Sequence, residues 1–206
     1  VIELNEFATL HLQLNAGTNV VLFHAMGATI VEEGLVDQEF LRTRITEFEE
    51  YRKFIADFAP EKVEQICGVP AAKIRQAARM YATAKPSLSV HGLGMTEHIQ
   101  GTEGIIALVN LALLTGNIGK PGTGINPLRG QNNVQGAPHM GCEPKLLPGY
   151  VLVEKEKYRA QFEALWHAPV PTHPGMTMID MLDAATEGKL KAIWAIGYDI
   201  LMTNPN

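Results

Sequence analysis

Cysteine is nearly absent from this sequence: Cys67 and Cys142 are the only two in 206 residues. Two thiols alone cannot build a structural zinc site or hold an iron–sulfur cluster, each of which needs about four ligands. Their isolation argues against a disulfide framework and fits a reducing compartment, so a cytoplasmic location is the expectation. Long apolar runs are also lacking. None reaches the roughly 18 residues that a membrane-crossing helix needs. Positive charge is scarce, with 17 Lys and Arg against 22 Asp and Glu and a net charge of −5. That balance argues against a broad nucleic-acid-binding face. The sequence has no internal repeat, no low-complexity tract and no signal-peptide pattern. It starts at Val1 rather than at Met, which reads as a processed chain or a piece of a longer one. At 46% hydrophobic and 19% charged residues, the composition is globular, not that of a disordered tail, a collagen or a coiled coil. The length suits one large domain or two small ones.

What the sequence does have is an uneven supply of glycine and proline. Eight of its 19 Gly and five of its 12 Pro fall in the 35 residues from Gly116 to Tyr150. Compact domains rarely carry more than about 15 structureless residues unless the segment is functional or disordered. Disorder is disfavoured here, because charge is sparse and Ile118, Ile125, Leu128, Val134, Met140, Leu146 and Leu147 look like anchors. An ordered loop rich in backbone N–H groups and side-chain amides (Gln131, Asn132, Asn133, Gln135) suits a large polar ligand with phosphates and heterocyclic edges. Arg129 is the one arginine in this window. Its guanidinium is permanently charged and matches a carboxylate through two parallel hydrogen bonds. The plainer reading is a surface arginine in a long loop.

Residues 7–14 alternate apolar and polar, which predicts a strand. A turn at 16–19 follows, with Thr18 or Asn19 capping a helix over 20–33. Thr46-Glu47-Phe48-Glu49 has the spacing of a capping box opening a helix to about Phe58. Helices are predicted over 60–66, closed by Gly68, and over 70–84, with Ile74, Ala77, Ala78 and Tyr81 inward and Arg75 and Arg79 on a solvated face. A β-like run at 87–91 ends in Gly92-Leu93-Gly94. A helix from about Thr102 to Leu114, apolar nearly all round, should be buried on most sides. Helices over 154–166 and 177–186 and a buried strand over 190–196 complete the pattern. Helices alternating with short apolar strands indicate an α/β class with parallel-sheet layers. Three predicted strands end at Gly17, Gly92 and Gly197, and ligands of open α/β sheets sit outside the carboxyl ends of strands. A tight turn is the simpler role for any one of these glycines.

Several runs carry a resemblance: GLGMTEH at 92–98, NLALLTGNIGKPGTG at 110–124 and NPLRGQNNVQG at 126–136. With AGTN at 16–19, FEEYR at 48–52, IRQAARMY at 74–81 and GYD at 197–199, the whole chain resembles the catalytic subunit of molybdopterin-dependent formate dehydrogenases. The RGQNNVQGA run is the most specific, whereas LALLTGNIGKPGTG is shared across bis-pterin oxidoreductases. The resemblance implies oxidation of formate to carbon dioxide at molybdenum or tungsten held by two pterin guanine dinucleotides. Electrons would leave through a 4Fe-4S cluster to an electron-transfer subunit or carrier. It implies parts of two Rossmann-like domains, residues 1–131 from the later part of one and 132–206 from the returning part of the other, with the rest of the polypeptide completing both.

Carried over residue by residue, Arg129 matches the arginine that holds the formate carboxylate. Gln131 matches a pterin contact, and Gly92 and Gly94 match a glycine turn beside the cofactor. Asp199 and Thr203 match the guanine end of a dinucleotide, and Gly17 and Asn19 match a cofactor-side loop. No metal ligand is implied within this chain, since the cysteine or selenocysteine ligand and the cluster cysteines belong to upstream sequence. Cys142 reads as structural, as do His11 and His24. His91 and His98 flank the glycine turn and could touch the cofactor or relay protons, and His139 is a candidate support to the site. The chain departs from the family at Leu93, Glu97, Pro138, His139, Tyr198 and Ile200. Two other readings stand beside formate oxidation: a nitrate-reductase-like bis-pterin enzyme, and a cofactor-free scaffold subunit of a respiratory complex. The scaffold reading predicts loss of Arg129 or its glycines, and both are present.

Overall fold

The computed structural model describes residues 2–203. The chain forms two compact units, Val1–Gly130 and Gln131–Asn206.

In the first unit the most apolar helix takes the centre. Helix α1 (Asn19–Glu32) has apolar residues on almost every side and buries Leu22, Ala25, Met26 and Ile30. Thr18 stands at its N-cap, but the hydroxyl turns back to donate to the Asn15 carbonyl at 2.6 Å instead of capping the helix. Helix α2 (Gln38–Arg44) is properly capped, with Asp37 Oδ1 accepting from the Phe40 N–H at 3.0 Å. Helix α3 (Phe48–Ile55) is shorter than the sequence pattern predicts, and its capping box does not form. Glu47 precedes it with φ of 60°, outside the extended conformation that a capping box requires, and Glu49 pairs with Arg52 instead. Helix α4 (Pro60–Cys67) begins on proline and ends at Gly68, whose φ of 73° is the left-handed conformation that glycine adopts cheaply.

Helix α5 (Ala71–Thr83) turns Ile74, Ala78 and Ala82 inward. Its other side corrects the expectation of a merely solvated face. Arg75 bridges Glu32 at 2.8 Å and Glu61 at 3.1 Å, while Arg79 grips Glu33 through two hydrogen bonds of 2.7 and 2.8 Å. These pairs clasp α5 to α4 and to the end of α1. Strand β1 (Leu88–His91), short helix α6 (Leu93–Thr96), helix α7 (Gly101–Leu114) and strand β2 (Gly124–Pro127) follow. The two strands are parallel, with Leu88 opposite Gly124 and His91 opposite Pro127. This β–α–β unit confirms the α/β class. Helix α7 lies against α1, as its all-round apolar surface demands.

The strand predicted over 7–14 does not form. Leu12 and Leu14 do pack on the core while His11 and Gln13 face out, so the alternation is real, but among the described residues no neighbouring strand supplies a ladder. The segment is tied down by the Asn15 N–H to the Cys67 carbonyl, 2.8 Å.

The second unit is smaller. Helix α8 (Gly136–His139) precedes an antiparallel pair, β3 (Leu146–Leu147) and β4 (Val151–Leu152). Leu147, Val153 and Val170 form its buried centre, with Val151 and Phe162 against them. Helix α9 (Glu156–Trp166) follows, then helix α10 (Met178–Thr186), opened by a complete capping box between Thr177 and Asp180. The strand predicted over 190–196 is absent: the segment has no ladder partner among the described residues, and Trp194 and Ile196 are 88% and 76% exposed rather than buried. Cys67 is buried, whereas Cys142, read from the sequence as structural, is exposed and does not behave as a packed small hydrophobe.

Candidate functional site

The parallel pairing of β1 with β2 places two loops side by side at the carboxyl ends of the strands. The Leu128 N–H donates to the His91 carbonyl at 2.7 Å, extending the pairing one residue past β2. A Cβ on Gly92 would approach the Leu128 carbonyl at 3.9 Å, and one on Gly130 would approach Leu93 Cδ1 at 3.4 Å. The glycine turn Gly92–Gly94 and the segment Leu128–Gly130 are therefore neighbours, although more than thirty residues separate them in sequence. This is where a parallel α/β unit offers a ligand site.

The groups there are poised rather than satisfied. Arg129 is exposed and makes no ion pair or hydrogen bond with any described residue. Gly94 has no atom within 4 Å of where a Cβ would stand, so protein packing does not account for a glycine at this position. Gly101 is different, since a Cβ there would run into the Thr96 carbonyl. This close approach seats α6 on the start of α7, helped by Met95 against Gly104. His98 Nε2 pairs with the Gly94 carbonyl at 2.9 Å and braces the turn. An unpaired arginine in a segment that neighbours an open glycine turn suits a bulky anionic group.

The other sequence candidates lie elsewhere. Gly17, with φ of 79°, forms the turn before α1, and Asn19 is the first residue of that helix. In the second unit, Gln131 is exposed. Asp199 and Thr203 meet in one turn: Asp199 Oδ1 accepts from the N–H groups of Leu201 and Met202, at 3.2 and 3.1 Å, and the Thr203 hydroxyl donates to the Asp199 carbonyl. His139 packs edge-on against Tyr150, with ring centroids 5.2 Å apart. Among the described residues no group of three or more His, Cys, Asp or Glu could hold a metal ion. Among them also, no helix is long and apolar enough to cross a membrane.

Sequence reasoning missed a cleft of about 420 Å³ in the first unit, bordered by Thr46, Phe48, Tyr51, Phe54, Asn110 and Leu113. Beneath it His24 is buried against Phe54 and Phe58, and burial holds its pKa below the usual 6.5. The Tyr51 hydroxyl is enclosed beside the Asn110 side chain, and burial pushes its pKa up to about 12 against a smaller opposing pull from Asn110. A histidine within a helix carries no local pattern that announces such a cluster.

The family model of the molybdopterin oxidoreductases matches residues 3–206. The chain belongs to the molybdopterin oxidoreductase family. It is 45% identical over 204 residues to formate dehydrogenase H of Escherichia coli (strain K12), covering 98% of this chain and 28% of that protein. It is 39% identical over 197 residues to the F420-dependent formate dehydrogenase subunit alpha of Methanocaldococcus jannaschii, covering 96% of this chain and 29% of that one. A nitrate reductase of Synechocystis is 34% identical over 204 residues, covering 98% of this chain and 29% of that protein. Among solved structures, acetylene hydratase from Pelobacter acetylenicus superposes with a TM-score of 0.57 at 29% identity, covering 58% of this chain and 16% of that one. The chain thus spans less than a third of the length of these curated relatives. Family membership makes it part of an oxidoreductase and implies a molybdenum or tungsten pterin cofactor. The open space at Gly94 and the free cation at Arg129 are compatible with that bulky anionic group.

Proposed function

We propose that this chain is the Arg129-bearing part of a formate dehydrogenase large subunit. The observation that carries the reading is Arg129: an unpaired guanidinium at the carboxyl end of β2, beside the Gly92–Gly94 turn, within the run RGQNNVQG. Formate is the smallest carboxylate. A planar guanidinium grips it by two parallel hydrogen bonds and fixes the direction of its C–H bond. Arg129 orients substrate and balances its charge, and moves no proton. The bound pterin–metal group supplies the acceptor for the two electrons that formate releases.

Gln131 would hydrogen-bond the pterin, and Gly92, Gly94, Gly17 and Asn19 would give it room. The turn of Asp199 and Thr203 suits the guanine end of a dinucleotide, since a carboxylate accepts from the paired N–H groups of guanine. Residues 1–131 and 132–206 would contribute to two Rossmann-like halves, completed by the remaining polypeptide. A 4Fe-4S cluster held by upstream cysteines would pass electrons on. The Synechocystis relative supports one second reading, nitrate reduction, in which Arg129 holds another small planar oxyanion. Formate-dependent and nitrate-dependent dye assays on the complete gene product separate the two. In the formate reading, Arg129→Ala raises the formate KM and lowers kcat without changing metal content. Normal formate turnover in that variant would remove the assigned role.

A further inference from the structure

Two histidines flank the glycine turn, and their rings are used differently. His98 is committed to the turn through the Gly94 carbonyl. His91, the last residue of β1, has Nδ1 enclosed without any partner, while its Nε2 is not enclosed. An enclosed ring N–H with no acceptor is an unmet donor, so in the neutral ring the proton belongs on Nε2, the nitrogen that reaches the surface. The backbone fixes where this ring starts. His91 lies opposite Pro127, and its carbonyl accepts from Leu128, the residue before Arg129. A ring whose Nε2 is open to solvent and an unpaired guanidinium thus stand at the ends of two paired strands.

We infer that His91 is a second anion-binding residue, whose Nε2–H donates to an oxygen of an anion shared with Arg129. The anion is the substrate carboxylate or a phosphate of the cofactor, and the inference rests on the functional reading above. Three variants of the holoenzyme that carries this chain test it: His91→Phe, His91→Gln and His91→Asn. Gln sets its amide N–H near the place of Nε2, Asn sets its own near Nδ1, and Phe fills the space without a donor. The measurements are formate KM and kcat, and pterin content by fluorescence after oxidative release.

If the oxygen is the substrate's, Phe and Asn raise KM about ten- to a hundredfold while pterin content stays and Gln remains within about threefold of wild type. If it is a phosphate, Phe and Asn lose pterin and Gln retains it. The inference is overturned if both KM and pterin content are unchanged in Phe and Asn, or if Gln is as impaired as they are. Should Phe fail to fold, the Gln–Asn pair carries the same contrast. Arg129→Ala run in parallel distinguishes the two levels. Loss of formate affinity there with His91 variants unaffected refutes His91 alone, whereas an unchanged formate KM in Arg129→Ala refutes the functional reading itself.

Discussion

Gly94 and Gly101 bracket the same turn, and alanine at each should have opposite effects. At Gly94 an added Cβ meets nothing within 4 Å, and the residue lies inside α6 with φ outside the left-handed region. Gly94→Ala should therefore leave the fold as stable as before or improve it by up to about 1 kcal/mol, the usual helix advantage of Ala over Gly. At Gly101 the Cβ collides with Thr96 backbone, the carbonyl carbon lying 2.9 Å away, and backbone cannot rotate aside as a flexible side chain can. Gly101→Ala should cost about 1–3 kcal/mol by overpacking and should displace α6 with the turn it carries. For a unit of this size that is a loss of roughly 2–4 °C in Tm per kcal/mol. Melting of the cofactor-depleted enzyme reads both. Pterin content then adds a second axis: Gly94→Ala, though harmless to the fold, should load less cofactor if the open space belongs to the cofactor. A Gly94→Ala protein that melts lower than Gly101→Ala would refute the packing argument, and one that loads pterin as fully as wild type would refute the assignment of the space.

Two further outcomes probe the first unit. Ile74 is fully buried between α5 and the core around α1, so Ile74→Ala should cost about 2–5 kcal/mol in denaturant unfolding, and a loss below about 1 kcal/mol would contradict that burial. His24 is held neutral by burial, with a folded pKa below 6.5; the unfolded state then binds more protons as the solution is acidified, so the stability from the neutral ring is full above pH 6.5 and declines as pH falls through the depressed value. His24→Phe should flatten that acid limb, measured as stability against pH, and an unaltered slope would show that another group causes it.

Local pattern was a good guide wherever local chemistry decides. The all-round apolar surface of α7 foretold its burial, and Gly68 and Pro60 marked the ends of α4. Identical-looking signals diverged where tertiary context intervened. The Thr177–Asp180 box forms, whereas Thr46–Glu49 does not, because Glu47 takes a left-handed conformation at the mouth of the cleft. Strand alternation at Leu12 and Leu14 correctly foretold which side chains turn inward, but a ladder needs a partner strand and the pattern carries no such information. Arg75 and Arg79 looked solvated because their carboxylates lie on α1 and α4, far away in sequence. At the candidate site, Arg129 and the glycines were singled out by their motif as expectations. The nearness of their backbones was not, since it depends on the parallel register of β1 and β2, and the enclosure of His91 Nδ1 is likewise a product of tertiary packing.

The most direct measurement is formate-dependent dye reduction by the complete gene product, wild type beside Arg129→Ala, with metal and pterin quantified in both. The account predicts active wild type and a variant with equal cofactor but kcat/KM for formate lower on the order of a hundredfold or more, the consequence of losing two charge-assisted hydrogen bonds to the carboxylate. Equal cofactor with unchanged formate kinetics in the variant would contradict it.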